Sequence, residues 1–310
     1  MKNKLFNIFT IILCIFVLVE LLVRKSLIYS SILYAINMWV NNLIPALFPF
    51  FIISDILINY NITKFIPRII RKFCKSIWGI TDNMFTILIL SMISGFPSNA
   101  RNTRALYDKG LITLDEANHI LIFSHFSNPV FILTTVGTFF LGNEKVGTII
   151  LISHYLSNFI LGFMFRKKFY HIDKDNMDDI KSNNFGTVFI NAIKRAIDTT
   201  ILICGIVVIF LMLASIVINL FNFNIYNSMI IKGLFEITIG IEALSKLGLS
   251  ITYKAIIASC FLAFGGLSVH MQVISQITDT DIKYSYFLIG RLWQTIITGV
   301  ITYFLCMIMI

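Results

Sequence analysis

Two short tracts hold the residue types in this chain that are best placed to do chemistry. The first, Ser94-Gly95-Phe96-Pro97-Ser98-Asn99, is followed by Arg101 and Arg104; the second, Gly265-Gly266-Leu267-Ser268, is followed by His270 and Gln272. Glycine lets backbone amides approach a ligand closely. A helix that starts just past such a tract points unpaired N–H groups and a partial positive charge at an anion. Ser94, Gly95, Pro97, Ser98 and Asn99 in one tract, and Gly265, Gly266 and Ser268 in the other, therefore read as a backbone anion site in duplicate. Arg101 matches a carboxylate bidentately on one reading. On the other it snorkels to an aqueous face, as Arg104 is expected to do. His270, with Gln272 beside it, either holds a carboxylate or is a hydrogen-bonded structural histidine.

Other polar residues stand inside apolar runs. Asn128, beside Pro129, is a donor for substrate; Glu236, with Thr238 two positions on, is a proton or sodium coupling group or the counter-charge of an arginine. Arg291 lies about seven residues into the last apolar run. An ionisable group at that depth marks function by default; an ion pair with Glu236 or Glu242 that fixes packing is the other reading. The five cysteines are scattered, without a CxxC pair, and read as buried hydrophobes rather than a metal site. HExxH, GxSxG and P-loop lysine motifs are missing, so neither an enzyme nor a cofactor is expected. Any drive must come from a gradient, of protons or sodium, from a partner or from a concentration difference.

The elements that must position these residues follow from composition. Of 310 residues 57% are hydrophobic and 13% charged, with mean hydropathy +0.84. Soluble domains carry about 25% charged residues, so soluble enzymes are excluded and a polytopic membrane protein is expected. The net charge of +9 sits in short basic groups between apolar runs. That is the pattern of a cytoplasmic membrane face rather than a nucleic-acid surface. Residues 5–23 are long enough to be a retained helix, 28–60 an interfacial or tilted helix leading into a span, and 64–75 an amphipathic helix on the membrane. The runs 84–93 and 255–264 are each ten residues, about 15 Å as a helix and half a bilayer, and each stops at a Gly-x-x-Ser tract, 170 positions apart. Each reads as a re-entrant hairpin tip. Residues 119–141 can span but are interrupted at Ser127-Asn128-Pro129. Paired breaks in two halves of a chain point to a transporter's binding site.

The expected fold is an all-α polytopic membrane protein of two related halves, each with a re-entrant helical hairpin, with about eight to nine membrane segments. Residues 1–27 form an N-terminal membrane helix, 28–166 and 187–310 the two repeats, and 167–186 a polar cytoplasmic linker. The basic groups place the N-terminus, 64–75, 101–109 and 166–181 inside.

The tract 47–51 (Leu-Phe-Pro-Phe-Phe), the Ser94–Pro97 tip, Asn128-Pro129-Val130-Phe131-Ile132, the run 233–240 and above all Gly265-Gly266-Leu267-Ser268-Val269-His270-Met271-Gln272 resemble the sporulation integral membrane protein family of YlbJ/SpoVV type. Where that family commonly has Gly-Tyr-Pro at the first tip, this chain has Gly-Phe-Pro, which removes a hydroxyl. The resemblance covers nearly the whole chain from about residue 30. It implies a nucleoside-recognition or Gate-type fold, related to concentrative nucleoside transporters. It also implies uptake of dipicolinic acid into the forespore across the outer forespore membrane. The expected partners are thus a small organic anion, the lipid bilayer and a sporulation membrane protein that hands over substrate; nucleic acid is not one. A nucleoside carrier and a non-transporting scaffold of the spore envelope are the alternatives.

Overall fold

The computed structural model describes residues 2–167, 169 and 184–310; the expected polar linker at 167–186 falls largely outside them. The described residues form helices and no strands. Six helical stretches are long and apolar enough to cross a membrane: Phe6–Val23, Lys25–Asn59, Glu144–Met164, Phe185–Phe221, Ile251–Ile277 and Tyr284–Met309. The chain is an all-α, multi-pass membrane protein.

Helix α1 (Lys2–Val23) presents its apolar side chains outward, as a lipid-facing helix does. Helix α2 (Lys25–Met38) and helix α3 (Ile44–Asn59) run on through a π-helical turn, Trp39–Leu43. Pro45 and Pro49 lie just beyond that turn. Proline removes a donor and crowds the preceding turn, and a locally wider helix accommodates it. The expected interfacial lead-in at 28–42 is therefore part of one long, locally widened span. Helix α4 (Arg68–Trp78) carries Arg68, Arg71, Lys72 and Lys75 among exposed Ile69, Ile70 and Phe73. It meets α5 (Asp82–Ser94) at 93°, the attitude of a helix lying on the bilayer beside one that enters it.

From the end of α5 the chain turns at Gly95–Pro97 and packs back as α6 (Ser98–Asp108). This is the first hairpin, as expected. Helix α7 (Leu114–Phe123), opened by a capping box between Thr113 and Glu116, stops at an irregular stretch, 124–128. The chain resumes as a π-helical segment, Phe131–Phe140, and then α8 (Glu144–Met164), so the break expected at Asn128-Pro129 is present.

The second half begins with α9 (Phe185–Phe221), which packs along α2 and α3. The second tip is not at Gly265. Helices α10 (Ile225–Phe235) and α11 (Ile237–Ser245) pack on each other around Glu236, and a Cβ on Gly240 would stand 2.2 Å from the Gly233 Cα. Eleven and nine residues are about 16 and 14 Å of helix, half a bilayer each. Helices α12 (Ile251–Phe264) and α13 (Gly266–Ile277), by contrast, form one 27-residue span broken at a single residue. Helix α14 (Tyr284–Met309) closes the fold against α7, α8 and α12.

The halves therefore correspond with a shift near 141 positions rather than 170. Gly95 at the first tip matches Glu236 at the second (236 − 95), and Ile122 near the end of α7 matches Ala263 near the end of α12 (263 − 122). Helix α14 packs on α7 as α8 packs on α12, which is the exchange a pseudo-two-fold relation produces.

Candidate functional site at the helix breaks

Each hairpin tip docks on the broken helix of its own half. A Cβ on Gly95, whose φ is +76°, would meet the Asn128 backbone N at 2.7 Å. At the second tip a Cβ on Gly266 would meet the carbonyl oxygens of Gly233 and Phe235 at 3.2 and 3.4 Å. These glycines are needed for close approach between protein segments.

Between the two docked tips lies a cavity lined by both halves. Phe96 comes from the first tip, Glu236, Ile237 and Thr238 from the second, Ser127, Asn128 and Phe131 from the first break, and Val269 and Gln272 from α13. Leu43, Ala46 and Leu47 of the α2–α3 span and Ile203 and Val207 of α9 complete the wall. It is mostly apolar and small, about 20 Å³, which is room for about one water. A larger occupant requires these elements to separate.

The polar groups here differ in how far the protein already satisfies them. Glu236, 4% exposed, caps α11: one carboxylate oxygen accepts from the Thr238 and Ile239 amides at 2.8 and 3.1 Å, the other from the Thr238 hydroxyl at 3.3 Å. The anion site at that helix start is thus filled by the chain's own carboxylate. Asn128 donates to the carbonyls of Ala46 (3.1 Å) and Ile93 (3.2 Å) and accepts from the Val130 and Phe131 amides. It ties the break to α3 and the first hairpin. The Gln272 side-chain amide lines the cavity without a partner among the described residues, while its backbone carbonyl accepts from Ser275; the buried Ser127 hydroxyl has no partner either. These two face a ligand with capacity to spare.

The remaining expected residues lie off the cavity. Ser94 and Ser98 bond each other at 2.6 Å and close the first tip through the Leu90 and Gly95 carbonyls, with Pro97 as the residue that starts α6. Asn99 and Ser268 are fully buried, and their side chains have no partner among the described residues. Gly265, φ +97°, ends α12. His270 is held at both ring nitrogens, by the Tyr284 hydroxyl (2.7 Å) and the Phe264 carbonyl (3.0 Å).

Arg291 is completely buried and pairs with neither Glu236 nor Glu242. Its guanidinium donates to the carbonyls of Ile122 (3.1 Å) and Ala263 (3.2 Å) and to the Gln294 side chain, and lies over Phe287. Those carbonyls belong to the last turns of α7 and α12, the negative ends of both broken helices. One cation thus holds the two breaks in register, and neither charge pairing nor direct contact with the cavity is its role.

Arg101 stands in a vestibule of about 500 Å³ beyond the cavity. Asp55 of α3, buried, accepts there from Arg101 at 2.5 Å and from Arg195 of α9 at 2.9 Å through one oxygen. Arg101 also covers Phe51, which lies one turn from both Asp55 and the cavity residue Leu47. Asp55 was not anticipated, although a carboxylate inside the apolar run 28–60 is itself a signal. A second vestibule, about 470 Å³, opens at the other end beside Tyr34, Asn37, Asn41 and Asn42. There the Tyr34 hydroxyl donates to Glu242 of α11. Along α2–α3 the order is one vestibule at 34–42, the cavity at 43–47 and the other vestibule at 55–59.

Residues 40–144 match the Gate family model, described as nucleoside recognition. The chain is 28% identical over 302 residues to sporulation integral membrane protein YlbJ of Bacillus subtilis (strain 168), covering 86% of this chain and 74% of that protein. No solved structure matches it. The chain thus carries a nucleoside-recognition match over residues 40–144, within a multi-pass protein similar along most of its length to a sporulation integral membrane protein.

Proposed function

We propose that the protein is a transporter of a small organic anion, dipicolinic acid, working by alternating access in the outer membrane of the forespore. The observation that carries the reading is the narrow cavity, built from both hairpin tips and both helix breaks, with a vestibule at either end along the same helices. Paired discontinuous helices meeting at a site are how transporters place a ligand between two gates. The sporulation setting comes from the name of the YlbJ relative, and the substrate from the resemblance of the tips.

In this mechanism no covalent bond is made or broken. The Gln272 amide and the Ser127 hydroxyl hold the ligand against Phe96 and Phe131, and the hairpins part alternately from α3 and α9. Glu236 sets a condition on an anionic ligand. Two like charges in a water-poor cavity repel strongly, so an anion enters beside Glu236 only with a proton or cation that neutralises one of them. The coupling role therefore falls to Glu236, with Thr238 holding its carboxylate in place.

One observation favours a nucleoside instead. A carboxylate, a hydroxyl and a free amide around an apolar wall suit sugar hydroxyls and base edges as well as they suit an acid. Uptake into proteoliposomes separates the readings. Dipicolinate uptake is expected to saturate, to ignore excess uridine and to rise with an imposed proton gradient. Glu236→Gln should remove the response to the gradient, and Gln272→Ala should lower uptake about ten-fold, the loss of a hydrogen bond or two. Uridine uptake in its place establishes the nucleoside reading, and uptake of neither by folded protein rules out transport of both.

A further inference from the structure

The vestibule around Asp55 has the composition of a ligand site and already contains a carboxylate. Its volume, about 500 Å³, lies in the range of small-molecule sites, roughly 300–1,000 Å³. Its cations come from three elements: Arg101 and Arg104 on α6, Lys109 just past α6, and Arg195 on α9. The acids facing them are Asp55, Asp108 and Asp198. Asp108 is engaged with Arg104 at 2.6 Å. Asp55, 5% exposed, serves two guanidiniums through a single oxygen. Arg195 gives that bond only its Nε; its two terminal nitrogens have no partner among the described residues, and the side chain is half exposed to the vestibule. Lys109 reaches only the Asn59 side chain, at 3.3 Å.

We propose that this vestibule binds a carboxylate of the transported acid, and that Asp55 is its built-in occupant, displaced when substrate arrives. The inference rests on the organic-anion reading above and extends it with a second binding site on the transport path. A planar carboxylate takes a guanidinium fork at two points, a geometry that Asp55, tethered to α3 and using one oxygen, does not achieve with either arginine. The substrate's carboxylate competes for the same donors with better geometry. Displacement has a mechanical consequence, because the Asp55 carboxylate ties α3 to the first hairpin and to α9. Once it lets go, Arg101 is free to leave Phe51, the side chain that stands between this vestibule and the cavity.

The test is equilibrium binding of dipicolinate to the full-length protein in detergent, with benzoate and uridine as comparison ligands. Asp55→Asn keeps the shape and removes the competitor, and should tighten dipicolinate binding about ten-fold. Arg195→Gln, at a half-exposed position that folding tolerates, should weaken it about ten-fold. Lys145→Gln, an exposed residue outside the vestibule, removes the same unit of charge and should change nothing. If Asp55→Asn does not fold, the contrast between Arg195→Gln and Lys145→Gln decides. Dipicolinate binding that ignores both Asp55→Asn and Arg195→Gln overturns the vestibule site and leaves the transport reading standing. Equal weakening by Arg195→Gln and Lys145→Gln reduces the effect to net charge and also overturns it. Binding of uridine but not dipicolinate overturns both.

Discussion

A buried arginine at the centre of a membrane protein invites a role in ligand binding or charge pairing. Arg291 pairs with no carboxylate among the described residues and stands outside the cavity wall. Its value lies in two carbonyl groups that the helix breaks leave without partners, at Ile122 and Ala263. An unsatisfied buried carbonyl costs about 1–3 kcal/mol, so Arg291→Ala should destabilise the protein by about 2–6 kcal/mol, read as a lowered denaturation midpoint in detergent. Arg291→Lys keeps the charge but lacks the planar fork and should fall between. A variant that melts with the wild type would remove Arg291 from the structural role. The residue types were legible in the sequence, and their partners were not. Asn128 lines the cavity as a substrate donor would, and its four bonds also hold the break to α3 and the first hairpin. Nothing in the string of letters says that an amide's capacity is already used up by the backbone around it.

At the scale of elements, half-length helices and an interrupted span could be read from glycine, proline and run length, and the first hairpin formed where they placed it. The second did not, for a physical reason. Its turn, Phe235-Glu236-Ile237, contains no glycine or proline, because Glu236 satisfies the amides of the helix it starts. Of the conspicuous Gly265-Gly266 pair, Gly266 serves another need, close approach of α13 to that turn, and Gly265 ends α12. Two unlike features with similar letters were thereby paired, and the shift of 141 went unseen. Helix contacts make a further expectation. A Cβ on Gly290 would stand 1.9 Å from the Ile122 carbonyl oxygen, whereas one on Gly248 would meet nothing within 4 Å. Backbone cannot yield as a side chain tip does, so Gly290→Ala should cost about 1–3 kcal/mol or more through overpacking of α14 on α7. Gly248→Ala should stay within about 0.5 kcal/mol. Equal melting of the two variants would refute the tight α7–α14 contact.

Over the whole molecule, the all-α, multi-pass class followed from composition. The expected eight to nine membrane segments compare with six helices among the described residues long and apolar enough to cross, or seven if the bent α4–α5 pair counts as one span. The route through the protein needed the structure. The α2–α3 span passes both vestibules and the cavity between them, and each end is closed by a polar contact to one hairpin. Asp55 meets Arg101 of the first hairpin at one end, and Tyr34 meets Glu242 of the second at the other. Arg104, Lys109, Lys167 and Arg195 gather at the Asp55 end, the end that the positive-inside rule assigns to the cytoplasm. Alternating access requires these two ends to open in turn and never together. The direct measurement is the rate at which an impermeant thiol reagent labels single cysteines at Asn41 and at Thr199, one in each vestibule, in a chain whose five native cysteines have been replaced. Saturating dipicolinate should raise labelling at one position and lower it at the other. Rates that stay unchanged at both, or that rise together, would contradict a carrier with a single alternately exposed site.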